Sequence, residues 1–195
     1  MSKMSKRKIG ITGTIGSGKS SVTKIIKNTY PTLSADVIVS NMYKDKDFIK
    51  KVNLAILNKE SQVLNKDLLA KTIFSNKEKK VKLESMIHPI VKEKIKKFQE
   101  KREGLTFVEV PLLYEAKFED LFDFVIIVVA DENKIVERLK KHRGYSEEEA
   151  KSRIQNQYSK EKKKEKADYI IENNLGIEDL EKEVLKLIKL LEKGE

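Results

Sequence analysis

The octapeptide "GTIGSGKS", residues 13–20, constrains this chain more than any other stretch. It completes the pattern G-x-x-x-x-G-K-[ST], with an apolar run at 8–12 in front and a helical stripe of Val22, Ile25 and Ile26 behind. A strand, a glycine loop and a helix in that order form one device: loop amides converge on phosphate oxygens and the helix N-terminus adds partial positive charge. On this reading Gly13, Thr14, Ile15, Gly16, Ser17, Gly18, Lys19, Ser20 and Ser21 make a nucleotide site. Lys19 would reach the β- and γ-phosphates, and Ser20 would ligate Mg²⁺. The competing account is a glycine-rich turn by accident. With only 8 glycines in 195 residues, four fixed positions match by chance about one time in a hundred over such a length.

Four more short β-branched runs follow, around 32–35 and at 105–110, 124–130 and 169–172. Charged segments of helical spacing separate them. The run "FVIIVVA" shows no polar alternation, which is how a strand buried on both faces of a parallel sheet reads. Strands divided by helices predict an α/β sandwich. A stripe of Ile177, Leu180, Val184, Leu187, Ile188 and Leu191 predicts a final helix packed on that sheet. The mostly helical stretch 37–103 is too long for a simple crossover and is a candidate substrate-covering insertion. The polar stretch 140–166 is a candidate lid. No repeat or linker divides 1–195, so one domain carries both.

Composition narrows the partners. The 41 Lys+Arg against 31 Asp+Glu give a formal charge of +10, favouring anionic ligands. Most of these lysines, spread along helix faces, read as solvated surface. The run "KEKKKEK" at 160–166 interleaves acids and follows a helical pattern, unlike a nucleic-acid tail. With no Cys, disulfides and cysteine metal sites are excluded. The start holds no apolar stretch of signal-peptide length, and the longest apolar run is too short to span a bilayer. A cytoplasmic protein with no membrane partner is the expectation.

Several reactions use such a loop. A GTPase would show D-x-x-G, which is absent, and N-K-x-D, which "NKDL" at 65–68 only approaches because its acid comes one residue early. Asp36, in "SADVI" just past the second strand, stands at the carboxyl edge where ligands gather in open α/β sheets. Its carboxylate could take the proton of an attacking hydroxyl, or cap a helix. Glu109, inside "TFVEVP", could orient water on Mg²⁺, although strand ends hold many idle acids.

Read together, these segments resemble the dephospho-coenzyme A kinase family, whose members phosphorylate the ribose 3′-hydroxyl of dephospho-CoA in the last step of coenzyme A biosynthesis. The phosphate loop matches, as do "SADVI" and, in spacing, "LNKDLLAKTIF" at 64–74. His88 with Pro89, "PLLYE" at 111–115, Arg153 with Gln157, and "ADYIIEN" at 167–173 follow in family order. The likeness runs from Ile9 to about Leu187.

The resemblance implies a three-layer P-loop kinase fold with a five-stranded parallel sheet in the order 2-3-1-4-5, a CoA-binding insertion and a lid. It makes Asp36 the general base, ATP the donor and dephospho-CoA the acceptor. His88, Leu112 and Glu115 then shape the acceptor site, Asn173 contacts adenine, and Arg138 meets the transferring phosphoryl group from the lid. The family's second lid arginine aligns with His142, and Arg143 lies one residue later. Plainer readings stand beside these: Pro89 at the first position of a helix with His88 before it, Glu115 as a surface acid, Asn173 as a loop cap, Arg153 in a surface ion pair.

The chain departs from the family at Ser34, at Ser40 in place of an arginine, at Asn65 and Lys66 in place of Asp-Arg, and at Gly176, displaced from its usual place after the final Asn. None of these touches the loop or Asp36. The rivals are a nucleoside or nucleoside monophosphate kinase of the same fold, and a nucleotide-regulated nucleic-acid-binding protein. Dispersed lysines and the absence of Trp offer the latter no stacking platform. The expectation is a monomer or small homo-oligomer acting on a small molecule, without nucleic acid.

Overall fold

The computed structural model describes residues 6–157 and 159–194. Five strands form one sheet: β1 (Arg7–Gly13), β2 (Thr32–Ser34), β3 (Leu105–Glu109), β4 (Phe124–Val129) and β5 (Tyr169–Glu172). Their order is β2-β3-β1-β4-β5 and every neighbouring pair is parallel. The central position of β1 follows from its two partners: Ile11 pairs with Glu109 on one side and Ile126 on the other.

The helices are α1 (Lys19–Lys27), α2 (Ala35–Met42), α3 (Lys46–Val52), α4 (Lys66–Ser75), α5 (Lys77–Glu100), α6 (Glu132–Arg143), α7 (Glu147–Gln155), α8 (Lys160–Lys164) and α9 (Ile177–Lys193). No helix among the described residues is long and apolar enough to cross a membrane. The chain separates into two compact units, Ala35–Lys97 and the remainder, where the sequence suggests an insertion at 37–103.

In the sheet unit, Val22 and Ile26 of α1 and Leu180, Val184, Leu187 and Leu191 of α9 cover Ile9, Ile11, Phe107, Ile126 and Val128. Each such side chain removed from water contributes about 1.5–3 kcal/mol. A second cluster joins Ile135, Val136 and Leu139 of α6 to Ala150 of α7, with Ile15 of the phosphate loop against it. Part of the candidate lid is therefore packed on α6. A capping box of Ser146 and Glu149 starts α7, and Arg153 stacks on Tyr145 at 4.4 Å, with no ion pair of its own among the described residues.

In the helical unit, α3 runs into a π-helical turn (Asn53–Leu57) that ends at Asn58 in the left-handed region. The buried Asn53 amide donates to the carbonyls of Ser61 and Val63 at 2.8 and 3.0 Å, which fixes the loop before α4. The plainer reading of His88 and Pro89 fails here. Pro89 does not begin a helix: α5 continues through it, so His88 and Pro89 lie mid-helix. A proline ring costs a helix one hydrogen bond, and a helix of 24 residues survives that loss.

Candidate active site

Backbone conformation and close approach account for glycine at positions 13 and 18 of the phosphate loop. Gly13 has φ +151°, and a Cβ there would meet the Val128 carbonyl oxygen at 2.2 Å. Gly18 caps α1 with φ +100°, and a Cβ there would meet Asn173 Nδ2 at 2.0 Å. The first amides of α1 have no carbonyl one turn earlier within the helix to bond, and its first turn holds no acid. Lys19, 7% exposed, donates to the carbonyls of Gly13 and Thr14 at 2.9 and 2.8 Å. Among the described residues, Ser17 Oγ is buried without a hydrogen-bond partner. A cradle closed to Cβ, a cation across it and an orphaned hydroxyl fit a polyphosphate.

Beside the loop, the Glu109 carboxylate accepts from Ser20 Oγ at 3.4 Å and from Thr23 Oγ1 at 3.0 Å. Glu109 ends β3 and is 8% exposed. Hydroxyl and carboxylate oxygens suit Mg²⁺, which takes few protein ligands and shares itself with phosphates. No group of three or more His, Asp or Glu that could hold a metal alone occurs among the described residues.

Three side chains brace the loop. Asn173, buried just past β5, donates its amide to the Ser17 carbonyl at 2.8 Å. Arg138 Nη2 donates to the Asn173 carbonyl at 2.9 Å, and Nη1 reaches the Gly16 and Ser17 carbonyls at 3.5 Å. Gln157 accepts from the Ile15 amide at 2.9 Å. Asn173 is thus neither a simple loop cap nor turned away from the site; its amide holds the loop. Arg143, by contrast, is exposed in the last turn of α6, beside His142.

Asp36 is the second residue of α2 and is exposed, so it sits inside the first turn and not at the cap. Within the helical unit it lines a cavity of about 420 Å³ with Ser40, Tyr43 and Lys66. A second cavity of about 620 Å³, which includes Asn53 and Val63, shares Leu64 and Lys66 with the first. Burial raises the Tyr43 pKa above its ordinary value. His88 is depressed, chiefly by burial, with Lys92 adding to the effect and Glu84 opposing it.

Residues 111–117 form a continuous turn after β3, closed by the Ala116 amide on the Leu112 carbonyl and by Lys117 at φ +54°. It separates two leucines: Leu113 is fully buried and Leu112 is 42% exposed. Glu115 is not a surface acid. It pairs with Lys163 of α8 at 2.9 Å, and the Lys163 side chain is 0% exposed.

A family model described as dephospho-CoA kinase (CoaE) matches residues 7–179. The chain belongs to the dephospho-CoA kinase family. It is 34% identical over 191 residues to a dephospho-CoA kinase of Listeria innocua, covering 93% of this chain and 95% of that one. A solved structure of TT1252 from Thermus thermophilus superposes with TM-score 0.82 at 31% identity, covering 96% and 98% of the two chains. A dephospho-CoA kinase from Campylobacter jejuni does so with TM-score 0.70 at 29% identity, over the same shares.

Two residues of this family member gain importance that spacing alone did not show. Gln157 belongs to a matched segment, but nothing local in the sequence points it at the Ile15 amide, 142 positions away. Lys163 hides among the lysines of an ordinary helical run. Glu109 stands out in the sequence only as one strand-end acid among others; the structure places it on the Ser20 and Thr23 hydroxyls.

Proposed function

We propose that this protein transfers the γ-phosphoryl group of ATP to the ribose 3′-hydroxyl of dephospho-CoA, giving ADP and CoA. The observation that carries this reading is the reach of the family likeness: residues 7–179 include the cavity of Asp36 as well as the phosphate loop. The acceptor half of the chain is covered along with the donor half.

Catalysis consists of positioning and charge neutralisation. Residues 13–21 hold the triphosphate, with Lys19 leaving the Gly13 and Thr14 carbonyls for the β- and γ-phosphates. Ser20, backed by Glu109, is the protein's contact for Mg²⁺, which when bound supplies charge neutralisation on the phosphates. Arg138 already lies at the loop, and Arg143 comes to the phosphoryl group from the end of α6. Asp36 takes the proton as the hydroxyl oxygen bonds to the γ-phosphorus and the bond to ADP breaks. Asn173 contacts adenine while bracing the loop.

The paired cavities of the helical unit suit an elongated acceptor. In the helical unit Lys66 supplies positive charge for a phosphate-bearing molecule and His88 is an acceptor residue; Leu112 and Glu115 are the acceptor residues of the sheet unit. The neutral form of His88, favoured by burial, can exchange hydrogen bonds without adding charge. The reaction belongs to the cytoplasm, in a monomer or small homo-oligomer with no nucleic-acid or membrane partner. ADP release measured with dephospho-CoA against a panel of nucleosides and nucleoside monophosphates tests the assignment. Turnover on dephospho-CoA alone supports it, and preference for another acceptor returns the protein to the general class of P-loop kinases.

A further inference from the structure

The side chain of Lys163 is removed from water on a helix of five residues, α8, whose other residues are exposed or half-buried. Its ammonium donates to the Pro111 carbonyl at 3.2 Å and pairs with Glu115 Oε1 at 2.9 Å. The same carbonyl oxygen accepts from Thr12 Oγ1, also at 3.2 Å. Thr12 is the residue before Gly13, where the phosphate loop begins. The Val110 amide donates to Ile11 at 2.8 Å, tying the two strand ends together just below. Both lone pairs of the Pro111 oxygen are therefore engaged, one by the strand that feeds the phosphate loop and one by α8.

Stability does not account for this arrangement. Burying an ammonium and a carboxylate loses more hydration than the pair commonly recovers, and a Met or Leu of similar volume would serve a helix core as well or better. What the pair supplies is direction. Lys163 holds one oxygen of Glu115 and, because a carboxylate is planar, thereby sets the heading of the other. It also fixes where the turn at 111–115 begins.

We propose that Lys163 is a positioning residue for the acceptor: it orients Glu115 and the turn at 111–115 while leaving the nucleotide loop to its own braces. The proposal rests on the reading of Glu115 as part of the dephospho-CoA site. Without Lys163 the turn keeps its strand bond and its buried Leu113, but Glu115 loses its fixed orientation. Loss of alignment at the acceptor then appears in the kinetics of that substrate alone.

The test is steady-state kinetics of full-length Lys163→Met and of the double variant Glu115→Gln/Lys163→Met, with a melting temperature for each. The KM for dephospho-CoA should rise about tenfold or more in both, with the KM for ATP within about twofold of wild type. A role in folding alone would lower the melting temperature and the active fraction and leave both KM values in place. The double variant leaves no buried charge unmatched and, because Glu115 is itself an acceptor residue, is read against Glu115→Gln alone: a KM for dephospho-CoA above that of Glu115→Gln supports the hold of Lys163 on the turn even where Lys163→Met does not fold, and an equal one overturns it. Variants that keep the wild-type KM for dephospho-CoA, from a wild-type enzyme that turns it over, overturn the proposal alone. A wild-type enzyme that ignores dephospho-CoA overturns the functional reading, and with it the proposal.

Discussion

Asn173 donates its side-chain amide to the Ser17 carbonyl across 2.8 Å, and the space that amide occupies is the space a methyl group on Gly18 would need. The last strand of the sheet and the first loop of the chain are thus shaped around each other. Gly18→Ala should displace Asn173 and add backbone strain of about 1–3 kcal/mol at a positive φ. The expected result is loss of the ATP-induced rise in melting temperature. A variant that still gains full thermal protection from ATP would contradict this account of the loop.

Glu109 receives two hydroxyls, from Ser20 and Thr23, and among the described residues no other acid is hydrogen-bonded to Ser20. Glu109→Gln keeps the shape and removes the charge. Activity or apparent Mg²⁺ affinity should fall about 10- to 100-fold, the usual effect of removing a supporting partner of a metal ligand. A titration of rate against Mg²⁺ checks it; an unchanged curve would return Glu109 to the idle strand-end acids.

Asp36 is assigned a proton-transfer role that its place in the first turn of α2 permits and that capping does not explain. Asp36→Asn should lower transfer to dephospho-CoA by about 10²- to 10⁴-fold and leave ATP binding near wild type. Near-normal turnover would remove the general base from the mechanism.

His88 predicts a pH dependence of stability. Its folded-state pKa lies below the ordinary 6.5, mainly through burial. As pH falls through 6.5 the unfolded chain takes up this proton before the folded one, so the contribution to stability is full above 6.5 and declines below it. Melting temperatures from pH 7.5 to 5.5, compared between wild type and His88→Gln, should show a steeper acid decline in wild type. Parallel curves would contradict the assignment.

The sheet was legible because five short β-branched runs separate helical patterns, and the phosphate loop because glycine spacing is local and rare. Pro89 misled because a proline reads as a helix boundary, whereas α5 is long enough to absorb it. Lys163 was illegible for a different reason. Nothing distinguishes one lysine in "KEKKKEK" until α8 is folded against β4 and its side chain meets Glu115, 48 positions earlier in the sequence. Asn173 and Gln157 likewise take their meaning from loops more than a hundred residues away.

The most direct measurement of the central claim is phosphorus NMR of the product formed from ATP, Mg²⁺ and dephospho-CoA by the purified protein. The account predicts a new phosphomonoester on the ribose 3′-oxygen, in step with the appearance of ADP. Release of ADP with dephospho-CoA unchanged, or phosphate at another position, would contradict it.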